Sequence, residues 1–366
     1  MSPAPSAGPE PAFASASAGD RAGDPTRVAV LGAGSWGTAF ACVLGSSTSP
    51  AGRRAREVVV WSRRAEVARA ITEDHANPEY LPDVALPECV RAVTDAREAV
   101  AEAGVVVVAV PAQQARTVLE GLADALAPDA IAVSLMKGLE RGTDARPSQV
   151  CQEALGIGPE RFAVLSGPNL ALEIARGEPT ATVVASASRA TADRVAALTA
   201  GPTFRPYTNG DVVGVEIGGI VKNVIALAVG ICDGQGLGDN SKASVITRGL
   251  AETTRLAVAL GGEASTLAGL AGLGDLVATC ASPLSRNRSA GRLMGTGLSA
   301  DEAVAAMKQT AEGIKSVSAV VHVARAHGVE MPISEAMDRV VAGTLDVDRL
   351  AGLLLARDLK SEGRHA

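Results

Sequence analysis

The stretch Arg27–Gly45, RVAVLGAGSWGTAFACVLG, decides the fold of this chain. An apolar run ends at Leu31, glycines follow at 32, 34 and 37, and an apolar-rich segment resumes behind them. The pattern reads strand, glycine turn, helix, with G-x-G-x-x-G at the joint. Gly32 permits the tight turn, Gly34 lets a pyrophosphate approach the backbone, and Gly37 lets helix and strand pack closely. Phosphate charge then meets free N–H groups at the helix N-terminus. In isolation such a motif can be a mere tight turn. At the first strand of an alternating domain it indicates a dinucleotide site.

The rest of the first half supplies that alternation. REVVVWSRR (56–64), GVVVVAVP (104–111) and AIAVSLMKG (130–138) read as further strands, RFAVLSGPN (161–169) and ATVVASAS (181–188) have the same character, and CVRAVTD (89–95) and TFRPYT (203–208) are weaker candidates. Continuous branched runs separated by helical stretches predict a largely parallel sheet covered on both faces. From Val212 to Leu354 the texture changes to glycine-punctuated helical patterns without a convincing strand. The expected organisation is a disordered leader over 1–26, an α/β dinucleotide-binding domain over 27–211, an all-helical substrate and catalytic domain over 212–354, and a flexible tail over 355–366. The leader is rich in Pro, Ala, Ser and Gly and lacks the apolar run of a signal peptide. No run reads as a membrane span; VVVVAV (105–110) is only strand-sized.

Composition narrows the function. With 366 residues, 47% of them hydrophobic, the chain can bury two substantial cores. A formal net charge of −6 gives no positive field for nucleic acid or an anionic membrane. An aromatic share of 2% argues against base-stacking platforms. Five cysteines lie far apart without CxxC spacing, which fits a reducing cytosol better than a disulfide framework or a zinc site. The four histidines form no metal-binding spacing, so no metal is expected.

Several polar residues are candidates for a ligand site, each weighed against an ordinary solvated or packing role, which for Lys137 is that of a surface lysine. At the second strand tip, WSRR (61–64) offers Ser62 with Arg63 or Arg64 and no carboxylate at the position that favours NAD. A planar guanidinium there can accept a 2′-phosphate, so NADP is permitted; two ordinary solvated arginines are the alternative, and use of both cofactors stays open. AVPAQQ (109–114) and Lys137, which follows an apolar strand, lie at strand ends that line the crevice of an open α/β sheet. In GVEIGGIVKNVIAL (214–227) the apolar spacing is that of a core helix, yet Lys222 and Asn223 sit near its middle. A buried unpaired charge costs several kcal/mol or gives up its proton, so either the helix turns Lys222 to solvent or the charge is used. In GLAGLGDLVATCASPLSRNRSAG (269–291), Asp275 sits in a glycine-rich apolar turn, and Ser285, Arg286, Asn287 and Arg288 follow as a cluster suited to clamping a phosphate. The bland alternatives there are a capping serine and a solvated basic loop.

Together GAGSWGTA, HANPEYLP (75–82), AVPAQ, SLMKGLE, LSGPNLALE, GVEIGGIVKNVIA, ITRGLAE, LAGLGDLVATC, SRNR, AEG and MPI resemble the bacterial NAD(P)-dependent sn-glycerol-3-phosphate dehydrogenase family, over Arg27 to about Leu350. The resemblance implies a Rossmann-like domain followed by a helical one, in a cytoplasmic homodimer. It implies reversible reduction of dihydroxyacetone phosphate to sn-glycerol 3-phosphate for phospholipid synthesis, with NADP or NAD as cofactor. By the same resemblance Lys222 is the catalytic acid/base. Lys137, Gly167, Asn169, Asp275, Ser285, Arg286 and Asn287 match substrate-region positions. Gly32, Gly34, Ser35, Trp36, Gly37, Arg63, Arg64, Lys137, Ala171, Arg286, Thr310 and Glu312 match cofactor contacts. Two residues depart from the family pattern: Asn169 stands where Ser or Thr is usual, and Thr310 replaces a branched aliphatic residue. The alternatives are another two-domain dehydrogenase, of 6-phosphogluconate or hydroxyacid type, and a non-catalytic dinucleotide sensor. Loss of Lys222 or of the SRNR cluster would favour the sensor, and both are present.

Overall fold

The computed structural model describes residues 26–47, 55–307 and 311–350. Its strands are β1 (Thr26–Leu31), β2 (Ala55–Trp61), β3 (Ala76–Asn77), β4 (Leu81–Ala85), β5 (Val90–Val93), β6 (Val105–Val108), β7 (Ile131–Ser134), β8 (Phe162–Ser166), β9 (Thr180–Ala185) and β10 (Phe204–Asn209). Eight of them form one sheet in the order β10-β9-β8-β7-β6-β1-β2-β5. Only the β8–β9 pair is antiparallel, so the expected parallel character holds, and both weaker candidates are strands of the sheet. β6, β7 and β8 are buried along their whole length, which is why they read as unbroken apolar runs. Along β1, Val28 and Val30 face one layer with Phe40 and Leu44, while Ala29 and Leu31 face the other with Leu119 and Leu155. The register aligns Leu31 with Trp61 and Val108, and Val108 with Ser134. The carboxyl ends of β2, β1, β6 and β7 therefore open on one edge, the place where ligands bind in such sheets. A small antiparallel hairpin of β3 and β4 lies outside the sheet, and the strand pattern gave no sign of it.

From Val212 to Leu350 the described residues are helical or irregular, as expected. The 23-residue helix Val212–Gly234 runs through the middle, packed by Asp239–Ala259, Asp275–Ala281, Arg286–Gly295, Glu312–Ala326 and Pro332–Val341. By length and mean hydropathy it would suit a membrane, which the sequence reading did not anticipate, but 89% of its apolar window is buried inside the protein. Its glycines explain that packing. A Cβ on Gly230 would stand 2.1 Å from the Arg288 carbonyl oxygen, and one on Gly291 2.0 Å from that of Leu227. The two helices thus touch backbone to backbone, and any side chain would part them.

Polar contacts bind the helical part to the α/β part. Glu216, fully buried on the long helix, accepts from Arg146 Nη1 (2.5 Å), Ser148 N (2.6 Å) and Ser148 Oγ (2.8 Å). The loop beside Arg146 reaches the Glu312–Ala326 helix through Arg141, which donates to the Lys315 carbonyl, and through Asp144, paired with His322. Lys137 and Lys222, one from each part, also share the Asp275 carboxylate.

Candidate active site

At the first strand–helix joint the glycines meet the geometry expected of them. Gly32 has φ +121°, and a Cβ there would lie 2.8 Å from the Ala109 carbonyl oxygen. A Cβ on Gly37 would lie 2.0 Å from the Gly32 oxygen, whereas beside Gly34 there is open space to 4 Å. The helix Ser35–Ser46 begins without a side-chain cap and without an acidic residue in its first turn. Its leading N–H groups and the open flank at Gly34 therefore fit a pyrophosphate. Trp36 stacks edge-on against Phe40 at 5.6 Å, and its indole N–H is buried without a hydrogen-bond partner.

The arginines of the second strand tip part company. Arg64 pairs with Glu79 (2.7 Å) and Glu66 (3.7 Å) and lies over the Tyr80 ring at 5.6 Å. Arg63 is exposed and has no ion pair among the described residues. Ser62 is buried, its hydroxyl turned onto the backbone of Arg64.

Across the crevice the long helix does bury its lysine. Lys222 is 7% exposed, and its Nζ donates to Asp275 Oδ1 (2.5 Å) and Thr279 Oγ1 (2.7 Å). Lys137, at the end of the β7 segment, donates to the other oxygen, Asp275 Oδ2 (2.6 Å), and to the Gly167 carbonyl (3.1 Å). One carboxylate, itself 1% exposed, thus joins two ammonium groups from two domains. Burial lowers the Lys222 pKa to about 8; Asp275 opposes that shift and the neighbouring Lys137 adds to it. A shift in that direction brings the lysine toward the range in which a general acid/base works. Asp275 is delivered by a π-helical turn, Leu270–Gly274, that leads into the helix Asp275–Ala281.

The SRNR segment opens the helix Arg286–Gly295 and divides its four residues among different tasks. Ser285 is the N-cap, accepting from Arg288 N at 3.2 Å. Asn287 donates to Asn223 Oδ1 (2.8 Å) and accepts from Gly313 N (2.8 Å), tying three helices together. Asn223 in turn donates to the Lys137 carbonyl at 3.2 Å, so this chain of amides ends beside the ion-pair centre. Arg288 is bound to Asp233 at 2.5 Å. Arg286 alone of the four is exposed, and its guanidinium makes no hydrogen bond among the described residues. Its charge is felt by Glu312, whose carboxyl is held above its usual range by burial while Arg286, Lys137 and Lys222 pull it down. Asn169 donates to Thr182 (3.1 Å) and leaves a buried, unpartnered Oδ1; Ala171 begins a short helix beside it. Thr310 lies outside the described residues. Among the described residues no group of three or more His, Cys, Asp or Glu could hold a metal ion.

Two family models divide the chain between them. The one described as NAD-dependent glycerol-3-phosphate dehydrogenase N-terminus matches residues 27–192, and its C-terminus counterpart matches 211–351. A protein of Thermobifida fusca named glycerol-3-phosphate dehydrogenase, NAD(P)+, is 57% identical over 312 residues, 85% of this chain and 91% of that one. The chain belongs to the NAD-dependent glycerol-3-phosphate dehydrogenase family. The crystal structure of a glycerol-3-phosphate dehydrogenase from Coxiella burnetii superposes with a TM-score of 0.84 at 36% identity, covering 91% of this chain and 99% of that one. A yeast glycerol-3-phosphate dehydrogenase superposes at 0.77 with 28% identity, covering 90% and 99%. Sequence reasoning missed the Thr279 contact at the centre of this glycerol-3-phosphate dehydrogenase-family fold. Thr279 follows Asp275 at i+4 on the same helix face, and that spacing inside LAGLGDLVATC was the available signal. Asn77, inside HANPEYLP, is a second residue that the motif alone does not single out.

Proposed function

We infer that this chain catalyses the reversible NAD(P)H-dependent reduction of dihydroxyacetone phosphate to sn-glycerol 3-phosphate, an oxidoreductase reaction that supplies phospholipid synthesis. The observation that carries this reading is the buried Lys137–Asp275–Lys222 centre, in a chain that also carries the glycine loop. Residues 27–211 act as the cofactor domain and 212–354 as the substrate and catalytic domain. The backbone of Gly32, Gly34, Ser35, Trp36 and Gly37 would hold the cofactor's pyrophosphate, Arg63 or Arg64 would meet a 2′-phosphate, and Lys137, Ala171, Arg286, Thr310 and Glu312 are the further residues assigned to it.

When bound, the reduced nicotinamide supplies a hydride to the carbonyl carbon. Lys222 gives its proton to the carbonyl oxygen as charge develops there, and in the oxidation direction its neutral amine takes the hydroxyl proton. Asp275 and Thr279 aim the ammonium, and Lys137 holds the second carboxylate oxygen so that Asp275 cannot swing away. Arg286, with Ser285 and Asn287 fixing its turn and Gly167 and Asn169 across the crevice, clamps the substrate phosphate. That remote binding orients the carbonyl toward Lys222. The protein works in the cytoplasm as a homodimer on a small phosphorylated substrate, without nucleic acid or membrane insertion. Oxidation of NADH or NADPH by dihydroxyacetone phosphate, and reduction of NAD+ or NADP+ by sn-glycerol 3-phosphate, 6-phosphogluconate and hydroxyacids, test the assignment. Turnover confined to the triose pair is expected. Absence of turnover in folded protein sinks it.

A further inference from the structure

Asn77 lies on the β3–β4 hairpin, outside the sheet, and is 1% exposed. Its Nδ2 donates to the Ala33 carbonyl at 2.9 Å and to Thr38 Oγ1 at 2.8 Å. Both acceptors belong to the dinucleotide joint: Ala33 sits between Gly32 and Gly34, and Thr38 lies in the first turn of the following helix. The Ala33 carbonyl shares a rigid peptide plane with the Gly34 N–H, so fixing one aims the other. The loop cannot supply that order itself, because glycine has little conformational preference of its own. We propose that Asn77 is a positioning residue for cofactor binding, holding the Ala33–Gly34 peptide and the first helical turn in the orientation that receives the pyrophosphate.

The surroundings of Asn77 support this role. Two non-glycine residues of this segment are in the left-handed region, His75 at φ +46° just before β3 and Asp83 at φ +64° within β4. Such conformations persist only where neighbouring contacts over-determine them. Here Leu86 N donates to the His75 carbonyl at 2.8 Å, closing the base. At the other end Arg64, from the tip of β2, grips Glu79 and covers Tyr80. The hairpin therefore spans from the glycine loop to the strand tip that faces the ribose, and Arg64 anchors its outer end. Asn77 is no ligand contact through its amide nitrogen, since both N–H groups are already used within the protein.

The proposal deepens the reading of Gly32–Gly37 as the dinucleotide loop and rests on it. Asn77→Asp keeps the size but sets an oxygen against the Ala33 carbonyl; Asn77→Ser shortens the side chain and admits water. Titration calorimetry of the full chain with NADPH and with NADH should show both Kd values raised by the same factor, about tenfold, in each variant. At saturating cofactor, kcat and the KM for dihydroxyacetone phosphate should stay within about twofold, since the loop holds cofactor and not substrate. Thr38→Ser, which keeps the acceptor hydroxyl, should retain parental Kd values, and Thr38→Val should lose part of the affinity. Folded Asn77 variants with a lower Tm and unchanged Kd values would reduce Asn77 to a structural prop and overturn the proposal. Loss confined to NADPH would overturn it too, by placing Asn77 at the 2′-phosphate. A parental protein that bound neither nicotinamide would remove the dinucleotide reading itself, a result separable from parental binding with indifferent variants.

Discussion

The Lys137–Asp275–Lys222 centre and the Ser285–Arg288 segment invert each other. The first gathers residues 53 to 138 positions apart into one hydrogen-bonded unit. The second holds four polar neighbours and sends them four ways: a helix cap, an amide chain, an ion pair with Asp233 and one exposed guanidinium. Adjacency in sequence is therefore a poor guide to shared work. What a polar side chain can offer a ligand depends on how much of its bonding capacity the fold has already committed.

The hardest test of that contrast is Lys222→Ala. If the centre is one proton-transfer unit, kcat should fall about a hundred- to ten-thousandfold with cofactor Kd little changed. The parental pH profile gives the sign. Reduction needs the protonated lysine, so its rate should decline as pH rises through about 8, while oxidation, which needs the neutral amine, should climb over the same interval. A folded Lys222→Ala protein with near-parental kcat, chemistry being rate-limiting, would move the proton donor elsewhere.

A smaller effect separates the two arginines of the second region. Arg286→Ala should raise the substrate KM roughly ten- to a hundredfold, the value of a charge-assisted contact to phosphate. Arg288→Ala should leave KM near parental and lower stability by on the order of 1–2 kcal/mol, as the partly buried pair with Asp233 is lost. Equal kinetic damage from both would erase the division drawn between them.

The smallest effect repeats that division at the β2 tip. Arg63→Ala should weaken NADPH about tenfold and spare NADH, because only the 2′-phosphate distinguishes the two. Arg64→Ala should weaken both alike and by less, since its guanidinium is engaged by Glu79 and Tyr80. Selective loss of NADPH in the Arg64 variant would show that its ion pair opens for the cofactor.

By itself the sequence determined the dinucleotide loop and the change from sheet to helices. Those features are written in local rules: glycine where a Cβ would strike the Ala109 or Gly32 oxygen, branched runs where β6 to β8 are covered on both faces, and periodicity from Val212 onward. It also raised the right question about Lys222, since an ammonium on an apolar helix must be explained. Only the tertiary structure decided the answer, because the partners that make a buried lysine tolerable, Asp275 and Thr279, come from another helix, and Lys137 comes from the sheet. The same holds for Asn77, whose two acceptors lie 44 and 39 positions earlier in the chain. Local sequence fixes backbone geometry because sterics act between neighbours. The worth of a polar side chain is fixed by solvation and by partners, and folding brings both from a distance.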